Sequence, residues 1–432
     1  MTGPTTVDRG GVLAWALWDW GSAAYHAVIL TFVFSVYLTD AVGDGTPAAS
    51  AALGYAIGGA GLVIALLAPV IGQRADAVGR RKLSAGLWTA CTIAAMAGLF
   101  AIRDAPAYLW PGLVLLAIGS VVAELAQVSY NAMLSQVSTP ATIGRVSGFG
   151  WAMGYLGGIA LLLVVYYGFV AGDGATAGFV GVPREDGFNI RVVALVAAAW
   201  FLVFAVPLLL RVPEAPAAAD RPARLGVVAA YRALAADLGA LYREDRHTVY
   251  FLGASALFRD GLAAIFTVGS VLAVGVYGIR AGDVLLFGVA ANVVAAVGAV
   301  VGGRVEDRVG PKPVIMASLL GMIAAAAVLL VVAGPLMFWV FGLALVLFVG
   351  PAQSSSRTFL ARLAPPGREG QLFGLYATTG RAVSFLAPSL FGLFVSLFDA
   401  QRAGIAGIVL VLVAGLLALW PVRPPKVVAP TG

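Results

Sequence analysis

Hydrophobic positions along this chain fall in long runs separated by short charged or turn segments. The first six runs cover 13–39, 50–72, 83–102, 108–133, 145–168 and 191–211. A polar stretch follows at 212–246, and six further runs cover 248–276, 283–303, 313–333, 335–357, 371–397 and 403–422. A helix needs about 20 apolar residues to cross a bilayer, and each run meets that length. The pattern predicts an all-α polytopic membrane protein with twelve transmembrane helices. It divides into a six-helix bundle over 1–211, a linker over 212–246 and a second six-helix bundle over 247–432. Pro213, Pro216 and Pro222 set the linker apart from the sixth run. From Pro222 to Arg246 the linker mixes Leu, Val, Ala and Tyr with Arg and Asp at helical spacing. That pattern fits an amphipathic helix on the membrane surface or a solvated connector.

Composition agrees. Of 432 residues, 61% are hydrophobic and 11% charged, against roughly 45–50% apolar and about 25% charged in an ordinary soluble domain. The 27 basic and 21 acidic residues are too few to cover a globule of this size. Soluble enzymes, nucleic-acid binders and disordered chains are thereby excluded. The net charge of +6 then reads as basic loops and not as a nucleic-acid surface. About 19 Lys and Arg fall on the side of the N-terminus, among them Arg74, Arg80, Arg81, Lys82, Arg304, Arg308, Lys312, Arg362 and Arg368, plus six arginines from Arg211 to Arg246. About five fall on the other: Arg103, Arg184, Arg191, Arg280 and Arg402. Basic loops stay in the cytoplasm, so both termini are expected there, in a multi-pass protein of the plasma membrane. Residues 1–11 lack the basic start and short apolar stretch of a cleaved signal. The lone cysteine, Cys91, cannot form an intrachain disulfide.

The two halves repeat. Gly72-Gln-Arg-Ala-Asp76-Ala-Val-Gly79-Arg-Arg-Lys82 matches Gly303-Arg-Val-Glu-Asp307-Arg-Val-Gly310-Pro-Lys312 at an offset of 231. Leu134, Pro140, Gly144 and Gly148 match Leu360, Pro366, Gly370 and Gly374 at an offset of 226. Under that offset Gln127 falls on Gln353 and Asn131 on Arg357. Two similar offsets in independent segments indicate duplication of a six-helix unit, a parallel repeat of the kind large transporters use. The glycines let helix ends turn and pack closely. An Asp near the start of the next helix complements that helix's positive end. Gly72, Asp76, Gly79, Arg80, Arg81, Gly303, Asp307, Arg308 and Gly310 are therefore read as gating residues and not as a substrate site.

The Gly-x-x-x-Asp-x-x-Gly-Arg-Arg segment resembles the recurring loop motif of the major facilitator superfamily. The first copy carries Ala77 where that motif has a basic residue, and the second carries Pro311 in place of the first trailing Arg. Trp15-Ala-Leu-Trp-Asp19-Trp-Gly-Ser-Ala-Ala-Tyr25, Tyr130-Asn-Ala-Met-Leu134, Arg259-Asp260-Gly261, Gln353-Ser-Ser-Ser-Arg-Thr358 and Phe373-Gly-Leu-Tyr376 resemble the vacuole-effluxer-like branch. That branch includes a fungal vacuolar amino-acid exporter. The resemblance implies the major facilitator fold, two pseudo-symmetric six-helix bundles and a transporter, and it raises amino acids as a substrate class. The fifth helix lacks the proline of the superfamily's antiporter motif, so symport is expected over exchange.

A charge inside the bilayer is costly and asks for a reason. Six candidates within the runs stand out: Asp19, Glu124, Arg259, Asp260, Arg357 and Arg381, three acids and three bases. Asp19 and His26 are seven apart and share a helix face. An acid and a histidine in a watery cavity are fit to carry protons, and an interfacial Asp19 and a packing His26 are the plainer alternatives. Glu124, Gln127 and Asn131 form one polar face, with Glu124 either a coupling carboxylate or one half of a salt bridge. Asp260, more than Arg259, is expected to turn inward. Arg357, four residues after Gln353, suits a substrate carboxylate or a gate pair. Arg381 lies near mid-span. The expected substrate-binding set is Glu124, Gln127, Asn131, Asp260, Gln353, Arg357 and Arg381. The expected proton-coupling set is Asp19, His26, Glu124 and Asp260. With no Gly-Lys-Ser/Thr phosphate loop, no Ser-His pair and no metal cluster, the sequence predicts a secondary transporter and not an enzyme. It is expected to take no cofactor or metal and to partner with a small-molecule substrate, protons and the lipid bilayer, as a monomer. A transporter of amphipathic drugs or lipids is the alternative substrate class, and a non-transporting receptor the alternative function.

Overall fold

The computed structural model describes residues 8–172, 174–214 and 227–423. Twelve helices among them are long and apolar enough to cross a membrane. They are α1 (Arg9–Val42), α2 (Pro47–Val78), α3 (Arg81–Ala101), α4 (Pro106–Val137), α5 (Ile143–Val170) and α6 (Glu185–Arg211). The second set is α7 (Arg246–Gly275), α8 (Ala281–Val309), α9 (Pro311–Val331), α10 (Pro335–Leu363), α11 (Glu369–Phe398) and α12 (Gln401–Leu419). Each coincides with one predicted run. The α2–α3, α4–α5, α6–α7, α8–α9 and α10–α11 connections share one face, which carries most of the cations and is called the basic face below. The α5–α6 connection on the other face holds a two-stranded hairpin pairing Thr176–Ala177 with Val182–Pro183.

Several helices extend further than the hydrophobic pattern marks, and in two of them the extension takes in the repeated motif. Helix α2 continues past Gly72 to Val78, and α8 continues past Gly303 to Val309. The repeated Gly–Asp motifs are thus final helical turns and not loops. The reason is burial, since Gly72, Gln73, Ala75, Asp76 and Ala77 all pack inside the protein. Gly79 ends α2 at φ 68°, in the left-handed region that glycine enters freely. The amide of Gly79 bonds Asp76 O and that of Arg80 bonds Ala75 O. This pair of reversed bonds closes the open carbonyls of a helix end.

Several transmembrane helices are irregular, and two of these irregularities bear on the site. Helix α1 widens to π geometry over Ala24–Phe32, and Val33 breaks it at φ −120°. Helix α11 breaks at Ser384–Phe385 between segments Glu369–Val383 and Leu386–Phe398. An amide freed inside the bilayer has no water to bond. At this break the Asp260 carboxylate from α7 accepts the Ala387 N–H at 2.6 Å.

The bundles meet along two seams, α2 against α11 and α5 against α8. The contacts repeat under the sequence offsets. A Cβ added to Gly72 would lie 2.0 Å from Gly370 O, and one added to Gly303 would lie 2.4 Å from Gly144 O. Gly374 presses on Ala68 O, and its counterpart Gly148 presses on Ala299 O, each within 2.5 Å of an added Cβ. The duplicated glycines mark where the halves touch backbone to backbone.

The linker contains a helix, Val227–Glu244. Residues 215–226, including Pro216, Pro222, Arg221 and Arg224, lie outside the described residues. This helix does not simply lie on the membrane surface. The Tyr231 hydroxyl donates to Leu66 O on α2, and Leu238 and Leu241 line a groove with Pro365, Leu372 and Leu375 at the start of α11. It therefore crosses one of the two seams.

Candidate functional site

Charged side chains join the bundles at three depths. At the basic face, Asp76 accepts the amides of Gly370 (3.0 Å) and Gln371 (2.8 Å) in the first turn of α11. It also receives Arg81 Nε at 2.7 Å, and Arg81 goes on to pair with Glu369. On the other seam, Asp307 accepts the Gly144 amide at 2.9 Å in the first turn of α5, and Arg145 Nε lies 3.4 Å from it. The sequence expectation placed each Asp at the start of the following helix. The structure corrects this, because each carboxylate serves a helix start in the opposite bundle. A carboxylate on free helix N–H groups meets both hydrogen-bond donors and the positive helix end. Of the motif cations, Arg81 is buried in the latch, whereas Arg80 and Arg308 point to solvent. Lys312 donates to Trp420 O and Val422 O instead of crossing a seam.

Six residues inside the basic-face end of α10, Arg357 enters the first bundle. It is 3% exposed. Its Nε donates to Ser147 Oγ (2.9 Å) and its Nη2 to Ser147 O (2.7 Å). Its Nη1 reaches Asp19 Oδ2 and Asn131 Oδ1, both at 3.3 Å. The guanidinium also lies 4.9 Å from the Trp15 ring, 5.6 Å from Trp151 and 6.0 Å from Tyr130. Asp19 accepts the Tyr130 hydroxyl at 2.8 Å, and Tyr130 stacks between Trp15 and Trp18. Gln127 donates to Asn131 at 3.2 Å. An added Cβ on Gly150 would collide with Trp15, Asp19 and Arg357, so glycine there makes room for this cluster.

At mid-membrane, Glu124 of α4 meets Arg381 of α11 at 2.7 Å, with the two side chains 18% and 33% exposed. His26 and Arg259 both lie within electrostatic reach of Glu124. His26 is exposed and sits in the π segment of α1, where the wider turn changes the facing direction set by Asp19. Arg259 donates to Tyr376 O at 3.1 Å and stacks 3.7 Å from its ring.

The predicted residues thus separate into two groups. Asp19, Gln127, Asn131 and Arg357 form the cluster nearer the basic face, and His26, Glu124 and Arg381 the mid-membrane one. Gln353 is half-buried one turn before Arg357. Contrary to expectation it is Arg259, and not Asp260, that turns toward Glu124, because Asp260 is engaged by the α11 break. Sequence reasoning missed Ser147, Glu369 and Glu306 as partners. Glu306 is fully buried on α8, where Ser355 and Thr358 donate to it at 2.8 and 2.5 Å and Arg362 lies 3.6 Å away. It looked like loop charge because it stands beside Asp307 in the repeated motif. Tyr130 stood inside the quoted Tyr-Asn-Ala-Met-Leu motif, but nothing in the spacing linked it to Asp19. Among the described residues no group of three His, Cys, Asp or Glu is arranged to hold a metal ion.

Comparison with known proteins places this geometry. The family described as "Vacuole effluxer Atg22 like" matches residues 135–427. The chain is 24% identical to the uncharacterized MFS-type transporter YxiO of Bacillus subtilis (strain 168), over 94% of this chain and 93% of that one. It is 25% identical to autophagy-related protein 22 of Cryptococcus neoformans var. neoformans serotype D (strain B-3501A), over 70% of this chain. It spans only 57% of that fungal protein's length. Among solved structures, the proton:xylose symporter XylE superposes with a TM-score of 0.75 at 15% identity, covering 97% of this chain and 96% of that one. The E. coli fucose:proton symporter FucP gives 0.71 at 14% identity, covering 95% and 97%. The fold is the major facilitator fold, with two pseudo-symmetric six-helix bundles.

Proposed function

We propose that this chain, which belongs to the vacuole effluxer Atg22-like family of major facilitator transporters, moves a small zwitterion such as an amino acid by proton-coupled alternating access. Family and fold are those of transporters and not of enzymes. The observation that carries the reading is the Glu124–Arg381 pair, a partly exposed ion pair at mid-membrane that spans the two bundles. A zwitterion has the right charges to replace it. Its ammonium pairs with Glu124, and its carboxylate takes the guanidinium of Arg381, with Arg259 nearby, in a charge-assisted fork. Gln127 and Gln353 are the neutral contacts between this site and Arg357.

Residues 1–211 and 247–432 are the rocking bundles, and 212–246 joins them. The basic face is the cytoplasmic one, the membrane is the plasma membrane, and the protein works as a monomer. In the present conformation the basic face is sealed by the Asp76 and Asp307 latches and by Arg357. The mid-membrane site is then reached from the opposite face. Protonation supplies the coupling. A proton on Glu124, relayed by His26, releases Arg381, and a proton on Asp19 weakens its hold on Arg357 beneath. Opening the basic face requires Arg357 to leave the first bundle.

Uptake of a labelled amino-acid panel into proteoliposomes, with and without a pH gradient, tests this. Gradient-dependent accumulation of at least one amino acid is expected, and Glu124→Gln should abolish the gradient dependence. If no amino acid accumulates or exchanges, the substrate class is wrong. If Glu124→Gln keeps full proton-driven transport, Glu124 is not the coupling group.

A further inference from the structure

The duplicated seams are not covered alike. The linker helix lies over the α2–α11 seam, where the motif neighbours Gln73 and Gln371 are buried and neutral. Under the offsets of 231 and 226, their counterparts on the α5–α8 seam are Arg304 and Arg145, and both are exposed. Together with Arg9 at the start of α1, they line a cavity of about 580 Å³. That size falls in the ~300–1,000 Å³ range of small-ligand sites. Apart from Thr142, its remaining wall is apolar and includes Val12, Phe149 and Val300, all on membrane-spanning helices.

The charges are only partly satisfied from within. Arg145 lies 3.4 Å from Asp307. Asp8 is occupied by the amides of Gly10 and Gly11. Arg304 donates, among the described residues, only to the carbonyl of Val300 in its own helix. Among the described residues neither Arg9 nor Arg304 forms an ion pair, and the Arg211 guanidinium lies nearby, 3.6 Å from a Cβ built on Gly10.

We infer that this cavity is a binding site for one anionic phospholipid. Its phosphate is held by Arg9, Arg145 and Arg304, and an acyl chain lies along Val12, Phe149 and Val300. Cations at the basic-face ends of the helices, beside apolar side chains on membrane-spanning helices, are more complementary to that molecule than to a soluble anion. Arg9 and Arg145 belong to one bundle and Arg304 to the other. The lipid therefore bridges the open seam as the linker helix bridges its duplicate, and its binding favours the state in which the basic face is sealed.

The test uses the full chain reconstituted in phosphatidylcholine vesicles with a minority of phosphatidylglycerol. Each lipid carries a photoreactive group in one acyl chain. Phosphatidylglycerol is expected to cross-link to peptides containing Val12, Phe149 or Val300 in preference to phosphatidylcholine. Arg9→Gln/Arg304→Gln should lower that preference roughly ten-fold or more, on the scale of two surface cations. Arg232→Gln/Arg243→Gln removes two exposed charges from the linker helix and should leave it unchanged. Val300→Trp, which fills the apolar wall and keeps the arginines, should also abolish it, so one misfolded variant does not decide the outcome. Equal cross-linking of both lipids, equal loss in the linker-helix control, or displacement by excess inorganic phosphate overturns the proposal.

Discussion

Arg357 shows how much of a membrane charge's meaning lies in its partners. Scarcity made the six intramembrane charges legible in the sequence, because a bilayer tolerates so few. Their pairing was not legible, since Asp19 and Arg357 are 338 positions apart and meet only when the bundles dock. The guanidinium gives bonds in two directions, to Ser147 and to Asp19 with Asn131, while its face lies against Trp15. An ammonium cannot reproduce that fork. Arg357→Ala leaves Asp19 buried with Tyr130 and Gln127 as its side-chain partners among the described residues, and removing one partner of a buried pair costs about 3–5 kcal/mol. The expected result is a large fall in thermal stability for Arg357→Ala, little rescue by Arg357→Lys, and a smaller fall for Asp19→Asn, in which Arg357 keeps its bonds to Ser147 and Asn131 and the new amide oxygen still accepts the Tyr130 hydroxyl. Equal stability of Arg357→Lys and wild type in a thermal unfolding series would remove the fork from the account.

Among the elements, the twelve spans were legible because bilayer thickness sets a minimum apolar length, and the structure extends most of them by only a few residues. The irregular stretches were legible only in part. Ala24–Phe32 carries no helix breaker, whereas Pro388 has no N–H to donate to Ser384 O and marks the break in α11; that Asp260 from a different helix stabilises this break was not legible. The repeated glycines were legible as duplication, but their steric role depends on which backbone they face. Gly72 and Gly303 each lie against a carbonyl of the opposite bundle, while Gly54 on the same α2 has open space around it. Gly72→Ala and Gly303→Ala should therefore each keep the basic face from closing, with Gly54→Ala neutral. Spin labels at Leu83 and Val309, both exposed and in opposite bundles, in a Cys91→Ser background, should report longer distances in the first two variants. The same distances in all three would show that the seam accommodates a methyl group.

For the molecule as a whole, the duplication becomes a lock with two unequal halves. Asp76 is 1% exposed, takes two short amide bonds from α11 and is braced by Arg81, which reaches on to Glu369. Asp307 has one short amide bond, a weaker second at 3.4 Å and a longer contact with a largely exposed Arg145. A hydrogen bond to a charged group contributes about 1.5–3 kcal/mol. In the proposed cycle the bonds that cross between bundles are made only while the basic face is sealed, so losing them is expected to shift the balance between conformations more than the stability of either bundle. Each 1.4 kcal/mol is a factor of about ten in that balance. Asp76→Ala should move the population toward the basic-face-open state by about a hundred-fold, and Asp307→Ala by about ten-fold. The double variant should approach the product, because the two latches lie on separate seams and share no side chain. Distance distributions between the same two labels supply the populations. An equal shift from the two single variants would mean that the seams open as one rigid unit, and that the extra bonds at Asp76 contribute nothing to holding the face shut.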